Sequence, residues 1–241
     1  MSDSAGRGYL IKPTGMPARR GVLVLHSWWG LTPFFRQFCD RLAEAGFVAL
    51  APDLFEGELP ATPDEAETAL ATLDINKAAA LILSSARALR SVTEEPEAPI
   101  GVIGFSMGAS WGLWLSARSP REVAATVAFY GTQSVDFIDA TGAFQGHFAE
   151  FDAFVSDDEV NELEAHLHLV GRPTEFFRYP GTSHWFFEAD RELAHHDQAA
   201  ELAWTRTRQF LEHHVTGEDP ESFDPGTPHT EHDADHDPGV A

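Results

Sequence analysis

The chain has 241 residues, which is enough for one domain with a large core. Its formal net charge is −22, which argues against nucleic acid or an anionic membrane surface as a partner. The single cysteine, Cys39, excludes an intramolecular disulfide and favours a reducing compartment. No apolar run approaches the ~18 residues of a membrane span, and the N-terminus lacks the apolar core of a signal peptide. We therefore expect a soluble, cytoplasmic protein that acts on small molecules, as a monomer or small homo-oligomer.

Short apolar segments alternate with helical ones along residues 1–215. We predict strands at 8–12, 21–26, 47–52, 100–103, 123–130, 143–148 and 174–179. We predict helices at 33–45, across 62–91 with a break near Asp74, and at 109–118, 157–170 (with Asp157 as N-cap) and 191–214. This alternation is typical of a mostly parallel sheet covered by helices on both faces, within a single domain.

Residues 216–241 differ in composition from the rest of the chain. They are rich in Asp and Glu, contain no Lys or Arg, and include His229, His232 and His236. Such a segment cannot offset its ordering entropy, so we expect an acidic, disordered tail. Metal capture by these histidines is an alternative, although we predict no metal site and no cofactor in the domain.

The stretch Gly104-Phe105-Ser106-Met107-Gly108 fits the pattern G-x-S-x-G between a predicted strand and a predicted helix. This context is that of a nucleophile elbow, in which the serine occupies a strained turn and exposes its hydroxyl above the sheet edge. The glycines provide the room that the turn requires. We predict Ser106 as a nucleophile, whereas the simpler alternative is a helix N-cap serine.

A serine hydroxyl needs a base and an orienting acid, which follow the nucleophile in this type of sheet in the order acid, then histidine. Asp152 follows the strand at 143–148 and is our predicted acid, with Glu150 as its rival in the same loop. His184 follows the last strand and is our predicted base. Cys39 lies within a predicted helix and is expected to be a small buried residue without a catalytic role.

The backbone N–H of Met107, directly after the nucleophile, is the first predicted oxyanion donor. The second donor is expected in the loop after the strand at 21–26, and we assign it to the N–H of Trp28. Trp28, Trp29 and Trp185 could form the wall of a substrate pocket, although core packing explains Trp29 equally well.

Five segments together carry a resemblance to a known family. They are 26–31 (HSWWGL), 51–55 (APDLF), 104–108 (GFSMG), the loop at Asp152, and 179–184 (YPGTSH). With them the chain resembles the dienelactone hydrolase family of α/β-hydrolases over residues 8–214. The resemblance implies an α/β-hydrolase fold without a large cap domain, a Cys-Asp-His or Ser-Asp-His triad, ester or lactone hydrolysis, and no cofactor.

The chain departs from the best-known family members at three positions. They carry cysteine where this chain has Ser106, and often a glutamate, which controls the thiol, where it has Ser27. Because a hydroxyl has no thiolate to control, we expect the carboxylate to be dispensable and Ser27 to line the pocket. Members that cleave dienelactones bind the substrate carboxylate with arginines, yet residues 185–188 read Trp-Phe-Phe-Glu where we expect one of them.

The sequence thus predicts a hydrolase that cleaves a carboxylic ester or lactone through an acyl-serine intermediate. The apolar residues after His184 favour a neutral ester over an anionic dienelactone. Hydrolysis of a true dienelactone is the alternative within enzymes. An alternative of another class is a binding protein that has the same fold and does not use its triad.

Overall fold

The computed structural model describes residues 8–216 except 16 and 19. The predicted acidic tail therefore lies outside the described residues, apart from Thr216. The strands are β1 (Gly8–Ile11), β2 (Gly21–Leu25), β3 (Val48–Pro52), β4 (Ile100–Phe105), β5 (Val123–Phe129), β6 (Ala143–Phe151) and β7 (Thr174–Ser183). The helices are α1 (Pro33–Glu44), α2 (Pro63–Thr72), α3 (Ile75–Ser91), α4 (Met107–Arg118), α5 (Asp157–Leu169) and α6 (Asp197–Leu211), and α6 continues into a π-helical turn at Glu212–Thr216.

The seven strands form one sheet in the order β1-β3-β2-β4-β5-β6-β7. Edge strand β1 is antiparallel to β3, and every other neighbouring pair is parallel. This arrangement confirms the predicted mostly parallel sheet. It also brings the carboxyl ends of β2, β4, β6 and β7 to one edge, where parallel sheets bind ligands.

Helices cover both faces of the sheet, as β2 makes clear. Val22 and Val24 belong to the core cluster that includes α1 and α6, whereas Leu23 and Leu25 belong to a second cluster that includes α3. Alternate residues of a strand point to opposite faces, so the unbroken apolar run of β2 reflects burial on both sides. A third cluster packs α4 against α5 and strands β5 and β6.

The residues that cap α3 and α5 determine where these two helices begin. The predicted break near Asp74 is confirmed, since the Asp74 carboxylate accepts hydrogen bonds from the N–H groups of Asn76 and Lys77 at the start of α3. The N-cap of α5 is Ser156 and not Asp157, because Ser156 forms a reciprocal capping box with Glu159.

The last helix begins later than predicted. Residue 191 was its expected start, but α6 starts at Asp197 after His196, whose side chain accepts from the N–H of Ala199. The N–H of His196 donates to the carbonyl of Phe186, which holds the preceding residues in turns. The segment after His184 therefore forms turns, in which Phe186, Phe187 and Glu188 are buried.

Within the described part of the chain, no single helix is long and apolar enough to cross a membrane. Helices α2 and α3 satisfy that test of length and composition only when taken as a pair, and they meet at a bend of 86°.

Candidate active site

Ser106 stands at the apex of a strained turn between β4 and α4. Its backbone has φ 53° and ψ −115°, in a region that residues with a side chain rarely adopt. The Ser106 N–H donates to the carbonyl of Phe129, and the Ser106 carbonyl accepts from Ala109. The side chain is thus presented at the sheet edge by a backbone that is hydrogen-bonded on both sides.

Glycines make this turn possible because neighbouring backbone atoms lie very close. A Cβ on Gly104 would lie 2.1 Å from the carbonyl oxygen of Gly108, and a Cβ on Gly108 would lie 2.1 Å from that of Leu25. A Cβ on Gly131 would lie 2.5 Å from the carbonyl oxygen of Ser106. These contacts bring the ends of β2, β4 and β5 together around the serine.

The side chains of Ser106, His184 and Asp152 form a continuous hydrogen-bonded chain. Ser106 Oγ lies 2.8 Å from His184 Nε2, and His184 Nδ1 lies 2.8 Å from both carboxylate oxygens of Asp152. An ionised carboxylate can only accept, so Nδ1 carries the proton and Nε2 is free to accept from the serine hydroxyl. The side chains of His184 and Asp152 are only 4% and 6% exposed, so the pair is shielded from water.

Asp152 and Glu150, the two candidate acids, have different partners. Asp152 Oδ1 also accepts from the N–H groups of Phe154 and Val155, which fixes the carboxylate in a turn. Glu150 is exposed, and its carboxylate accepts from the N–H of Gly181 in the segment leading to His184. Asp152 is therefore the carboxylate that contacts the His184 imidazole, whereas Glu150 binds the backbone of the segment before His184.

The two backbone amides predicted to bind an oxyanion have no competing acceptor in the described part of the chain. Met107 is the first residue of α4, where an N–H has no partner within the helix. The N–H of Trp28 lies in the turn after β2 and makes no hydrogen bond to another described residue. The positive end of the α4 dipole also lies beside Ser106.

Four aromatic side chains cluster next to His184. Trp28 and Trp185 stack with ring centroids 5.6 Å apart, and Trp29 contacts both at 5.4 Å. The rings of Trp185 and Phe154 lie 4.8 and 4.9 Å from the His184 ring. Trp29 has no ring contact with His184 among the described residues, which favours packing as its role. Phe154 is half exposed and was not predicted, because its place in the loop depends on the Asp152 turn.

Ser27 does not line a pocket, contrary to expectation. Its side chain is fully buried, and its hydroxyl donates to Glu188 Oε2 at 2.9 Å. The other oxygen of Glu188 accepts from the Tyr130 hydroxyl at 2.9 Å. A carboxyl group is therefore present beside Ser27 after all, supplied by the segment after His184, 161 residues further along the chain.

Burial shifts the ionisation of this carboxylate. It raises the pKa of Glu188 to about 8, although the hydrogen bonds from Ser27 and Tyr130 act in the opposite direction. The Tyr130 ring also lies 4.9 Å from the His184 ring. Glu188 thus connects two elements that flank the nucleophile.

Two other titratable side chains near the sheet, those of His26 and Cys39, are buried and have a structural role. Burial lowers the pKa of His26, which bonds through Nδ1 to the Ser27 carbonyl and through Nε2 to the N–H of Leu54. Burial raises the pKa of the Cys39 thiol to about 12, which fits a structural residue. Among the described residues, no group of three or more His, Cys, Asp or Glu side chains could hold a metal ion.

The sheet order, the turn at Ser106 and the polar residues at the strand ends are those of an α/β-hydrolase. The chain belongs to the dienelactone hydrolase family, whose model matches residues 7–215. It is accordingly a hydrolase of carboxylic esters or lactones.

Individual proteins are similar to this chain in sequence or in fold. Protein usf of Aquifex pyrophilus is 33% identical over 220 residues, which cover 87% of this chain and 94% of that protein. A carboxymethylenebutenolidase of Rhodococcus opacus is 28% identical, with 81% of each chain covered. The crystal structure of a dienelactone hydrolase-like promiscuous phosphotriesterase from metagenomic libraries superimposes with a TM-score of 0.77 at 20% identity, covering 88% of this chain and 95% of that one.

Proposed function

We propose that the chain hydrolyses a neutral carboxylic ester or lactone through a Ser106-His184-Asp152 triad. The observation that carries the proposal is the continuous hydrogen-bonded chain from Ser106 Oγ through both imidazole nitrogens to a buried carboxylate. Ser106 Oγ attacks the ester carbonyl while His184 Nε2 accepts its proton, and Asp152 stabilises the imidazolium that forms. The N–H groups of Met107 and Trp28 bind the oxyanion of the tetrahedral intermediate.

The reaction then proceeds in two halves. His184 Nε2–H returns the proton to the leaving alkoxide, the C–O bond of the ester breaks, and an acyl-Ser106 remains. Water then attacks the acyl carbon while His184 Nε2 takes a proton from it. The Ser106–acyl bond breaks, His184 returns that proton to Ser106 Oγ, and the carboxylic acid product leaves. A lactone follows the same steps, but its leaving oxygen stays bonded to the acyl chain throughout, so ring opening gives a hydroxyacyl-Ser106 and the second half releases a single hydroxy acid.

The aromatic cluster supports an uncharged substrate. Trp185 and Phe154 lie against the imidazole and provide an apolar wall for the acyl or alcohol part.

Hydrolysis of an anionic dienelactone is a second candidate, favoured by one cation. The Arg191 guanidinium lies 4.5 Å from the ring centroid of Trp29, at the edge of the aromatic cluster. It also lies 3.4 Å from the Asp190 carboxylate, which offsets its charge. We rank this candidate second because a substrate carboxylate would have to compete with Asp190.

A matched substrate pair separates the two candidates. The test compares kcat/KM for a cyclic dienelactone as the free carboxylate and as its methyl ester, with the wild type and Arg191→Met. The neutral-ester proposal predicts faster cleavage of the methyl ester and little change in Arg191→Met. Preference for the carboxylate, lost in Arg191→Met, would overturn that proposal in favour of the second candidate.

We also propose that the enzyme acts in the cytoplasm on small molecules, as a monomer or small homo-oligomer, with residues 1–215 as the catalytic domain and 216–241 as a solubilising tail. The single buried cysteine and the net charge of −22 support this. Cell fractionation and light scattering test compartment and assembly. Zinc titration of the full chain and of a chain ending at residue 215 tests whether the tail histidines bind metal instead.

A further inference from the structure

We propose that Glu188 is a positioning residue of the active site, whose carboxyl group holds two features in one arrangement: the oxyanion loop, which follows β2 and contains Ser27 and Trp28, and the Tyr130 ring beside His184. This inference rests on the proposed function, since it assigns Glu188 an effect on Ser106 chemistry without contact with the substrate. Glu188 is fully buried, and a buried carboxyl group is costly unless its oxygens are satisfied. Here each oxygen has one hydroxyl donor, Ser27 or Tyr130.

On one side, Glu188 fixes the oxyanion loop. Ser27 directly precedes Trp28, whose N–H is the proposed second oxyanion donor. The Ser27 carbonyl accepts from Gly30 and from His26 Nδ1, so side-chain and backbone contacts together hold this residue. Releasing the Ser27 hydroxyl removes the one hydrogen bond that this side chain makes to the described residues, next to the Trp28 amide.

On the other side, Glu188 fixes the ring beside the base. Tyr130 has a positive φ of 38°, and its N–H donates to the carbonyl of His147. Its ring lies between the Glu188 carboxylate, which accepts from its hydroxyl, and the His184 imidazole. Glu188 itself belongs to the turn after His184, because its N–H donates to the Trp185 carbonyl. One carboxylate thus joins segments that follow β2, β5 and β7.

The charged groups around this carboxylate are few. Asp190 and Arg191 lie on the same turn and act on Glu188 with opposite sign. Asp152 and His184 face Tyr130 from the loops after β6 and β7. His26, beside Ser27, has a lowered pKa owing to burial.

Oxyanion stabilisation depends on hydrogen-bond donors that are already in position before the reaction. Loosening the contacts of Glu188 is therefore expected to affect the transition state more than the bound substrate.

The test measures kcat and KM for a short p-nitrophenyl ester and the inhibition constant of a boronic acid that mimics the tetrahedral intermediate. The variants are Glu188→Gln, Ser27→Ala and Tyr130→Phe. Glu201→Gln, which makes the same chemical change at an exposed site on α6, is the matched control. We expect Glu188→Gln, Ser27→Ala and Tyr130→Phe each to lower kcat by about tenfold or more, with KM nearly unchanged and boronate affinity reduced by the same factor.

A double-mutant cycle adds a second criterion. Ser27→Ala in the Glu188→Gln background is expected to cost little more than either change alone, because both break the same contact. Folded variants with wild-type kcat and boronate affinity, differing from the wild type only in melting temperature, would overturn the inference. If Glu188→Gln does not fold, the kcat and boronate affinity of Ser27→Ala and Tyr130→Phe still test the inference, since each of these changes removes a single hydroxyl.

Failure of the Glu188 inference can be distinguished from failure of the proposed triad. Ser106→Ala, measured alongside, abolishes hydrolysis if the triad is correct, whatever happens at Glu188. Persistent activity in Ser106→Ala would reject the triad. Loss of activity in Ser106→Ala, combined with unchanged kcat in the variants of Glu188, Ser27 and Tyr130, would reject only the role of Glu188.

Discussion

Gly108 packs directly against the end of β2, where a Cβ would lie 2.1 Å from the carbonyl oxygen of Leu25 and 2.6 Å from that of His26. Both obstacles are backbone atoms, which cannot move without shifting the strand. The first turn of α4 can therefore lie next to the oxyanion loop only with glycine here. The relationship places the Met107 amide, the Ser106 turn and the residues before Trp28 in one rigid arrangement.

Gly108→Ala is expected to displace the start of α4 and lower kcat/KM by about 100-fold, since a misplacement of roughly 1 Å has such an effect. Gly112→Ala is the matched control on the same helix, because its Cβ would meet side-chain atoms and no backbone, the nearest being a Val102 methyl at 3.2 Å. Kinetics with a p-nitrophenyl ester and thermal melts compare the two. Equal activity of both variants would argue that the close approach is unimportant for the site.

Asp152→Asn is expected to lower kcat by about 10⁴-fold, because an amide can donate to Nδ1 and favours the wrong imidazole tautomer. Glu150→Gln is expected to cost about tenfold at most, since the amide oxygen can still accept from the N–H of Gly181. Steady-state kinetics of both variants decide between the two acids. A larger loss in Glu150→Gln than in Asp152→Asn would reverse the assignment.

The folded pKa of Glu188, about 8, lies above its ordinary value of 4.5. Between these pH values the folded chain holds a proton that the unfolded chain has lost. The stability that comes from the neutral carboxyl is therefore fully present below about pH 4.5 and is lost as the pH rises through about 8.

Comparison with Glu188→Gln isolates this contribution. The free energy of unfolding of the wild type, relative to that of Glu188→Gln, is expected to fall by at least about 1 kcal/mol across this range, the equivalent of one pKa unit. Urea titrations at several pH values measure the difference. A constant difference would mean that Glu188 ionises similarly in the folded and unfolded states.

Phe154→Ala removes a half-exposed ring that contacts Trp28, Trp185 and His184. We expect KM for an aryl ester to rise about threefold to tenfold with a smaller change in kcat, because one aromatic contact is worth ~0.5–1.5 kcal/mol. Phe151→Ala is the control, since this ring is 67% exposed and has no ring contact within the described residues. Equal effects of the two changes would argue against the aromatic wall.

The sequence contained enough information for the mostly parallel sheet and for the three polar residues that the structure brings into hydrogen-bonding distance at its edge. Apolar strands such as β2 and β4 are unmistakable because both faces of the sheet are covered, and the polar residues directly after strands identify Ser106, Asp152 and His184. The helix boundaries at Ser156 and Asp197 were missed because each depends on a local cap, which competes with other plausible caps nearby.

The contacts that depend on three-dimensional packing could not be predicted. Ser27 was read as a pocket residue because nothing in its own segment indicates a partner, while Glu188 lies 161 residues away. Glu188 belongs to the segment in which the family resemblance implies a substrate-binding arginine, yet its side chain is fully buried and bonded to Ser27 and Tyr130. The position of Phe154 likewise follows from the turn that Asp152 stabilises and not from any sequence pattern.

Reaction with a fluorophosphonate probe, measured together with ester hydrolysis, tests the role of Ser106 most directly. Ser110→Ala is the matched control, since Ser110 lies one turn along α4 and its hydroxyl donates to the carbonyl of Thr132. We predict that the wild type and Ser110→Ala are labelled and active, whereas Ser106→Ala is unlabelled and loses about 10⁴-fold or more in turnover. Near wild-type hydrolysis by folded Ser106→Ala would contradict the account.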